Sequence, residues 1–117
     1  MSKLANRVKV STSTTGTGTI TLGSPEDGFY DFAEAGISDG QTVRYVIENG
    51  NNFEIGTGVF TASGTTLSRT PEETLVSGTA DITSPSAITL AGTSTVFVTV
   101  SSRNFAYQTA ISLIYGM

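Results

Sequence analysis

The chain contains no cysteine and no histidine. Without cysteine it forms no disulfide, and it offers neither a thiolate nucleophile nor the soft ligand that zinc prefers. Without histidine it lacks the side chain that most often moves protons near neutral pH. These two absences argue against an enzyme, and we expect no catalytic residue, no metal and no cofactor.

Charge is also scarce, because only 14% of the 117 residues are charged and the net charge is -4. Nucleic acids and anionic membranes are bound by basic surfaces, so neither is expected as a partner. The N-terminus is positively charged but no apolar region follows it, so we predict no signal peptide. No apolar run is long enough to span a bilayer. We expect one domain that is made in the cytoplasm and used or assembled there.

The chain is rich in short apolar–polar alternations that are interrupted by Gly, Ser, Thr and Asn. In the clearest one, Val43, Tyr45 and Ile47 share one side of a strand. The Asn49-Gly50 pair that follows is the strongest short signal for a β-hairpin. This pattern predicts an all-β fold, an antiparallel β-sandwich or flattened barrel of about eight short strands.

Three local expectations concern less regular segments. The aromatic cluster of Phe29, Tyr30 and Phe32 is assigned to the core. Gly56 and Gly58 interrupt a strand and indicate a bulge or bend. Residues 71–86 are the least patterned part of the chain, and we expect a long surface loop there with at most one short strand.

Candidate chemical sites have simpler structural explanations. Two Gly-x-Gly sequences, at 16–18 and 56–58, lack the strand–loop–helix context of a phosphate loop and are explained better as strand bends. The acidic pairs at 26–27 and 72–73 lie in turn segments, where water keeps carboxylates ionised. Calcium binding by the acidic residues of 26–39 lacks the EF-hand spacing.

The four tyrosines could instead form a sugar-stacking platform, and this remains the alternative to packing in the core or at a subunit interface. The chain has no Trp, which argues against that alternative. The tyrosines concerned are Tyr30, Tyr45, Tyr107 and Tyr115.

The C-terminal segment 103–117 is unusually apolar. Alternation favours a strand, and a helix with a stripe of apolar side chains is the alternative. We divide the chain into a β-sandwich module, 1–102, and an apolar C-terminal strand or arm, 103–117, for packing or subunit contact. The residues expected to contact another subunit or a larger particle are Leu4, Val8, Phe105, Tyr107, Ile111, Leu113 and Tyr115.

Six sequence blocks resemble a β-rich module of tailed-bacteriophage virion proteins. The first is residues 4–23, LANRVKVSTSTTGTGTITLG. The others, in chain order, are GFYDF (28–32), DGQTVRYVIENG (39–50), NFEIGTGVF (52–60), TTLSRT (65–70) and VFVTV (96–100). Such modules occur in tail fibres and other appendages, and as small stand-alone virion proteins. The resemblance does not extend to the apolar segment 103–117.

This resemblance implies a non-enzymatic structural protein that assembles into homo-oligomers, typically trimers. With its apolar end, the chain resembles a capsid decoration (cement) protein or a small tail accessory protein. The expected partners are other copies of the chain and the major capsid protein or tail proteins of the same virion. The alternative is a tail adhesin or fibre component that binds host-surface glycans.

Overall fold

The computed structural model describes residues 2–100, and this part of the chain is all β. Eight strands form one antiparallel sheet that curls into a half-barrel, and two short strands form a second sheet. The all-β expectation of a sandwich or flattened barrel is therefore confirmed. The strands are β1 Lys9–Thr12, β2 Thr15–Gly16, β3 Ile20–Thr21, β4 Thr42–Asn49, β5 Asn52–Thr61, β6 Thr66–Leu67, β7 Thr70–Val76, β8 Thr79–Asp81, β9 Leu90–Ala91 and β10 Ser94–Val98.

The β4–β5 hairpin is the centre of the large sheet. Asn49 pairs with Asn52 across a two-residue loop that contains Gly50, whose φ is 61°. This backbone conformation favours glycine, and it confirms the hairpin predicted at Asn-Gly. On one side of the hairpin, the strand order is β4, β10, β1.

On its other side the sheet forks. The first half of β5 pairs with β7, and the far end of β5 pairs with β6, which in turn pairs with β3. The register with β7 shifts between Ile55 and Gly56, so the bend predicted at this glycine is confirmed as a bulge. β8 lies beyond β7. The second sheet consists of β2 and β9.

The core lies against one face of the large sheet, which we call the inner face. Val43, Tyr45 and Ile47 of β4 point there and are fully buried, as their alternation predicts. Val10 and Val96 lie opposite each other in β1 and β10 and extend the same layer. Segments outside the sheet close the core with Phe32, Ile37, Ile88 and Leu90.

The long surface loop expected at residues 71–86 is wrong, because most of β7 and all of β8 lie in this range. β7 is seven residues long and pairs with β5. Its sequence shows no clear alternation because the bulge opposite Gly56 disturbs the period of two at Pro71, Glu72 and Glu73. Pro71 lacks an N–H donor and is tolerated at such an irregularity.

The aromatic cluster at 29–32 is only partly in the core, contrary to expectation. Phe32 is buried, and its ring stacks on Phe60 with the centroids 5.4 Å apart. Tyr30 is 49% exposed. Phe29 lies beside β1, where the Arg7 guanidinium covers its ring at 3.9 Å from the centroid.

The segment 103–117 and its five predicted contact residues lie outside the described residues. Within the described residues, no helix is long and apolar enough to cross a membrane.

Candidate functional site

The most unusual chemistry of the described chain is a polar cluster inside the core, formed by Tyr45, Glu54 and Arg69. Tyr45 and Glu54 lie on adjacent strands, and pairing of Tyr45 with Gly56 places both side chains on the inner face. Arg69 follows β6 and points into the same space. The side chains of Glu54 and Arg69 are 0% and 1% exposed. We call these three residues the buried polar cluster.

The carboxylate of Glu54 accepts hydrogen bonds at both oxygens. Oε2 accepts the hydroxyl of Tyr45 at 2.6 Å and Nε of Arg69 at 3.1 Å. Oε1 accepts Nη2 of Arg69 at 2.7 Å and the backbone N–H of Ile88 at 2.9 Å. A carboxylate has about four acceptor positions, so this one has no capacity left for a substrate or a metal ion.

The guanidinium of Arg69 is equally occupied. Besides the two bonds to Glu54, Nη1 donates to the carbonyl oxygens of Gly16 and Gly18, each at 3.2 Å. Nη2 also donates to the carbonyl oxygen of Ile88 at 2.8 Å. These bonds use all five donors of the guanidinium. The cluster therefore connects β5 to two segments that are distant in sequence, around residues 16–18 and residue 88.

Gly56 makes room for the cluster. A Cβ at this position would lie 2.6 Å from the hydroxyl oxygen of Tyr45 and also against the backbone of Thr70 and Pro71. Only a residue without a side chain allows Tyr45 to lie across β5 and reach Glu54.

The electrostatics of the cluster oppose proton transfer. Burial, followed by the hydrogen bond to Glu54 and the charge of Glu54, raises the pKa of the Tyr45 phenol well above its ordinary value. The phenol stays protonated near neutral pH and donates a hydrogen bond to the Glu54 carboxylate, whose charge is balanced by Arg69. The arrangement holds segments together and offers no group with which to start a reaction.

The structure also describes the other segments that the sequence analysis weighed as chemical sites. Gly16 and Gly18 direct carbonyl oxygens at Arg69, whereas a phosphate loop presents N–H groups. Among the described residues, no group of three or more acidic side chains is arranged to hold a metal ion. A cavity of about 160 Å³ lies beside Phe32 and Phe60, and Asp31 is the one titratable residue of its lining.

The structure describes two of the predicted contact residues, Leu4 and Val8, and they differ in exposure. Leu4 is 53% exposed and accessible to a partner, whereas Val8 is 3% exposed and packs in the core of its own chain. Phe105, Tyr107, Ile111, Leu113 and Tyr115 lie outside the described residues. Tyr45 is fully buried and cannot belong to a sugar-stacking platform. Among the described residues, Tyr30 is the one exposed tyrosine of that hypothesis.

The sequence analysis missed Glu54 and Arg69. Glu54 alternates with Phe53 and Ile55, a pattern that places the acidic side chain on the solvent side of an ordinary strand. The available signal was Glu54 sharing a face with Gly56, Gly58 and Phe60, since two glycines beside an acidic residue indicate a close approach on that side. Nothing in the local pattern connects Glu54 to Arg69.

Comparison of the chain with models of known protein families, with curated proteins and with solved structures gives no match.

Proposed function

We propose that this chain is a non-enzymatic structural protein of a tailed-bacteriophage virion. It is a small homo-oligomeric decoration (cement) protein or tail accessory protein that attaches to the particle and stabilises it. The proposal rests on the six sequence blocks that resemble the virion module. Five of these blocks contain all or part of β1, β4, β5, β6 and β10, which belong to the large sheet.

The structural observation that supports a non-enzymatic role in this proposal is the completeness of the buried polar cluster. Every donor of Arg69 and both oxygens of Glu54 are used to join separate segments of one chain. A half-satisfied cluster would leave a reactive or ligand-binding group, but a fully satisfied one gives rigidity and a unique geometry. Rigidity is the property that a particle-stabilising protein requires.

In this proposal the chain assembles in the host cytoplasm and functions on the virion. Subunit contact is assigned to the C-terminal segment 103–117, together with exposed Leu4. Obligate interfaces are large and apolar, and this segment carries a single charged residue, Arg103. The partners are other copies of the chain and the major capsid protein or tail proteins.

Immunogold labelling of purified virions tests the location. Gold over the head indicates a decoration protein, and particles depleted of the chain should then lose resistance to heat. Gold on the tail indicates an accessory protein. Particles that remain unlabelled, while antibody detects the purified chain, contradict the proposal. Saturable glycan binding that is lost in a Tyr30→Ala variant would favour the adhesin alternative.

The role of the C-terminal segment is tested by deleting residues 105–117. The core is built from residues 8–96, so the shortened chain should fold and keep its β-type circular dichroism. We expect it to be monomeric by size-exclusion chromatography with light scattering and to bind no particles. Unchanged assembly contradicts the assignment.

A further inference from the structure

The face of the large sheet opposite the core, which we call the outer face, carries an apolar surface of its own. Antiparallel register aligns Lys9, Phe97, Val46, Ile55 and Glu73 in one row across five strands. Three apolar side chains therefore lie side by side in its middle, with a cation at one end and a carboxylate at the other.

A second row beside the first extends the apolar part. Phe53 of β5 pairs with Leu75 of β7 and with Glu48 of β4. We call Val46, Phe53, Ile55, Leu75 and Phe97 the apolar stripe. Four of the five are half-buried, and Val46 is 9% exposed although it does not belong to the inner-face core.

An incomplete polar group lies at one end of the stripe. Arg44 pairs with Glu72 through Nη1, and its side chain is only 12% exposed. Its Nε is buried and has no hydrogen-bond partner among the described residues. A buried donor without a partner is costly, so a carbonyl oxygen laid across this end of the outer face would be stabilised there.

We propose that the outer face binds residues 103–117 of a second copy of this chain. The inference rests on the proposed homo-oligomer and names the surface that its C-terminal segment recognises. The segment suits the stripe because it alternates apolar side chains and contains one charged residue, Arg103. Laid on the outer face as a strand or an arm, it would also offer a backbone carbonyl oxygen as the acceptor that Nε of Arg44 lacks among the described residues.

The course of the chain allows this docking. Thr99 still donates its N–H to the carbonyl oxygen of Arg44, so the chain is in the sheet until this point. β10 is paired on both sides, with β1 and β4, so neither of its edges is open to a further strand. Fifteen residues, the length of 103–117, can span at most about 50 Å when extended, which exceeds the roughly 20 Å across the five strands of the row.

The stripe is also the suitable surface on a second copy. Some large apolar side chains of the described residues are more exposed than those of the stripe, but each of them belongs to a different segment of the chain. They are Leu4, Tyr30, Val59, Val76, Ile82 and Val100. A contact between the segment of one copy and the outer face of the next is heterologous, and such contacts form a closed ring when the rotation between successive copies closes. A ring of three copies would give the expected trimer.

Complementation between two full-length variants tests the inference. Ile55→Asp places a charge in the apolar stripe, and Ile111→Asp with Leu113→Asp places charges in the segment. We expect each variant alone to be monomeric by light scattering, with self-association weakened about 100-fold or more. Mixed together, they should form a one-to-one complex, because one supplies an intact segment and the other an intact face.

Val76→Asp is the matched control, since Val76 is 42% exposed and, as the neighbour of Leu75 in β7, projects from the opposite face of the sheet. This variant should assemble like the parent chain. Assembly of Ile55→Asp alone would overturn the inference, because the segment would then bind elsewhere. Failure of the two monomeric variants to complement would also overturn it, because the segment would then dock on its own chain.

Circular dichroism confirms that each variant is folded, and Leu75→Asp replaces Ile55→Asp if the latter unfolds. A parent chain that is monomeric at micromolar concentration overturns the inference. Labelling of virions is measured independently, so failure of the inference and failure of the virion proposal are distinguishable.

Discussion

Two arginine–glutamate pairs lie on opposite faces of the same sheet and differ in how completely they are satisfied. On the inner face, the side chains of Arg69 and Glu54 are 1% and 0% exposed, and every donor of the guanidinium is used. On the outer face, the side chains of Arg44 and Glu72 are 12% and 24% exposed. There, Nε of Arg44 finds no partner among the described residues.

The difference shows what a buried ion pair requires. Removing two charges from water costs several kcal/mol per ion, and attraction between them compensates only when the other polar atoms are also bonded. The inner pair meets this condition by taking carbonyl oxygens and an N–H from segments remote in sequence. The outer pair keeps more contact with water, so its attraction is screened more and its contribution is smaller than that of the inner pair.

The largest expected effect comes from breaking the inner pair. Arg69→Ala leaves the Glu54 carboxylate buried without a countercharge, and we expect the free energy of unfolding to fall by about 3–5 kcal/mol. Urea denaturation followed by circular dichroism measures this loss. The double variant Glu54→Leu with Arg69→Met removes both charges and should recover part of it. A double variant less stable than Arg69→Ala would show that attraction within the pair is not the main term.

A smaller loss is expected from crowding the same cluster. Gly56→Ala directs a Cβ at the hydroxyl oxygen of Tyr45 and at the backbone of β7. We expect a loss of about 1–3 kcal/mol in the free energy of unfolding. Gly18→Ala is the matched control, because a Cβ there meets nothing within 4 Å and should change stability little. Equal effects of the two substitutions would contradict the importance of the close approach.

Tyr45→Phe removes one hydrogen bond to Glu54 and should cost about 1.5 kcal/mol at neutral pH. The pKa of Tyr45 is raised in the folded chain, so the folded state keeps a proton that the unfolded state loses above about pH 10. The contribution of Tyr45 to stability is therefore complete below pH 10 and declines above it, by about 1.4 kcal/mol per pH unit. Denaturation of both chains at pH 9 and pH 11 should show their difference shrinking at the higher pH.

The outer pair should give the smallest effect. Glu72→Gln removes the charge partner of Arg44 but leaves a polar side chain that is partly exposed, so we expect a loss of at most about 1 kcal/mol. Raising the salt concentration should reduce this difference further, because partly exposed charges are screened more than fully buried ones. A loss as large as that of Arg69→Ala would mean that the two faces do not differ as described.

The sequence predicted the elements in which alternation and turn chemistry agree. The alternation of Val43, Tyr45 and Ile47 predicted β4 and its buried side, and the pair Asn49-Gly50 predicted the hairpin. β7 could not be predicted in the same way, because its strand character comes from pairing with β5 and not from its own pattern. A bulge opposite Gly56 removes the period of two on which the prediction depends.

The buried polar cluster was beyond prediction for a different reason. Glu54 and Arg69 are 15 positions apart in the sequence, and the bonds of Arg69 to Gly16 and Ile88 join residues that are farther apart still. Each residue alone is ordinary for an exposed strand or loop. Only the fold shows that the two charges meet inside the core, since sequence patterns describe faces of single elements and not distances between them.

The bonds of Arg69 have a consequence for how the chain opens. Because one guanidinium holds the carbonyl groups near residues 16–18 and 88 to β5, these loops should not detach one at a time; their backbone amides should exchange hydrogen together with those of the central hairpin. The link plays the part that a disulfide plays in other small domains, but it contains no sulfur. It therefore holds equally well in reducing and in oxidising surroundings.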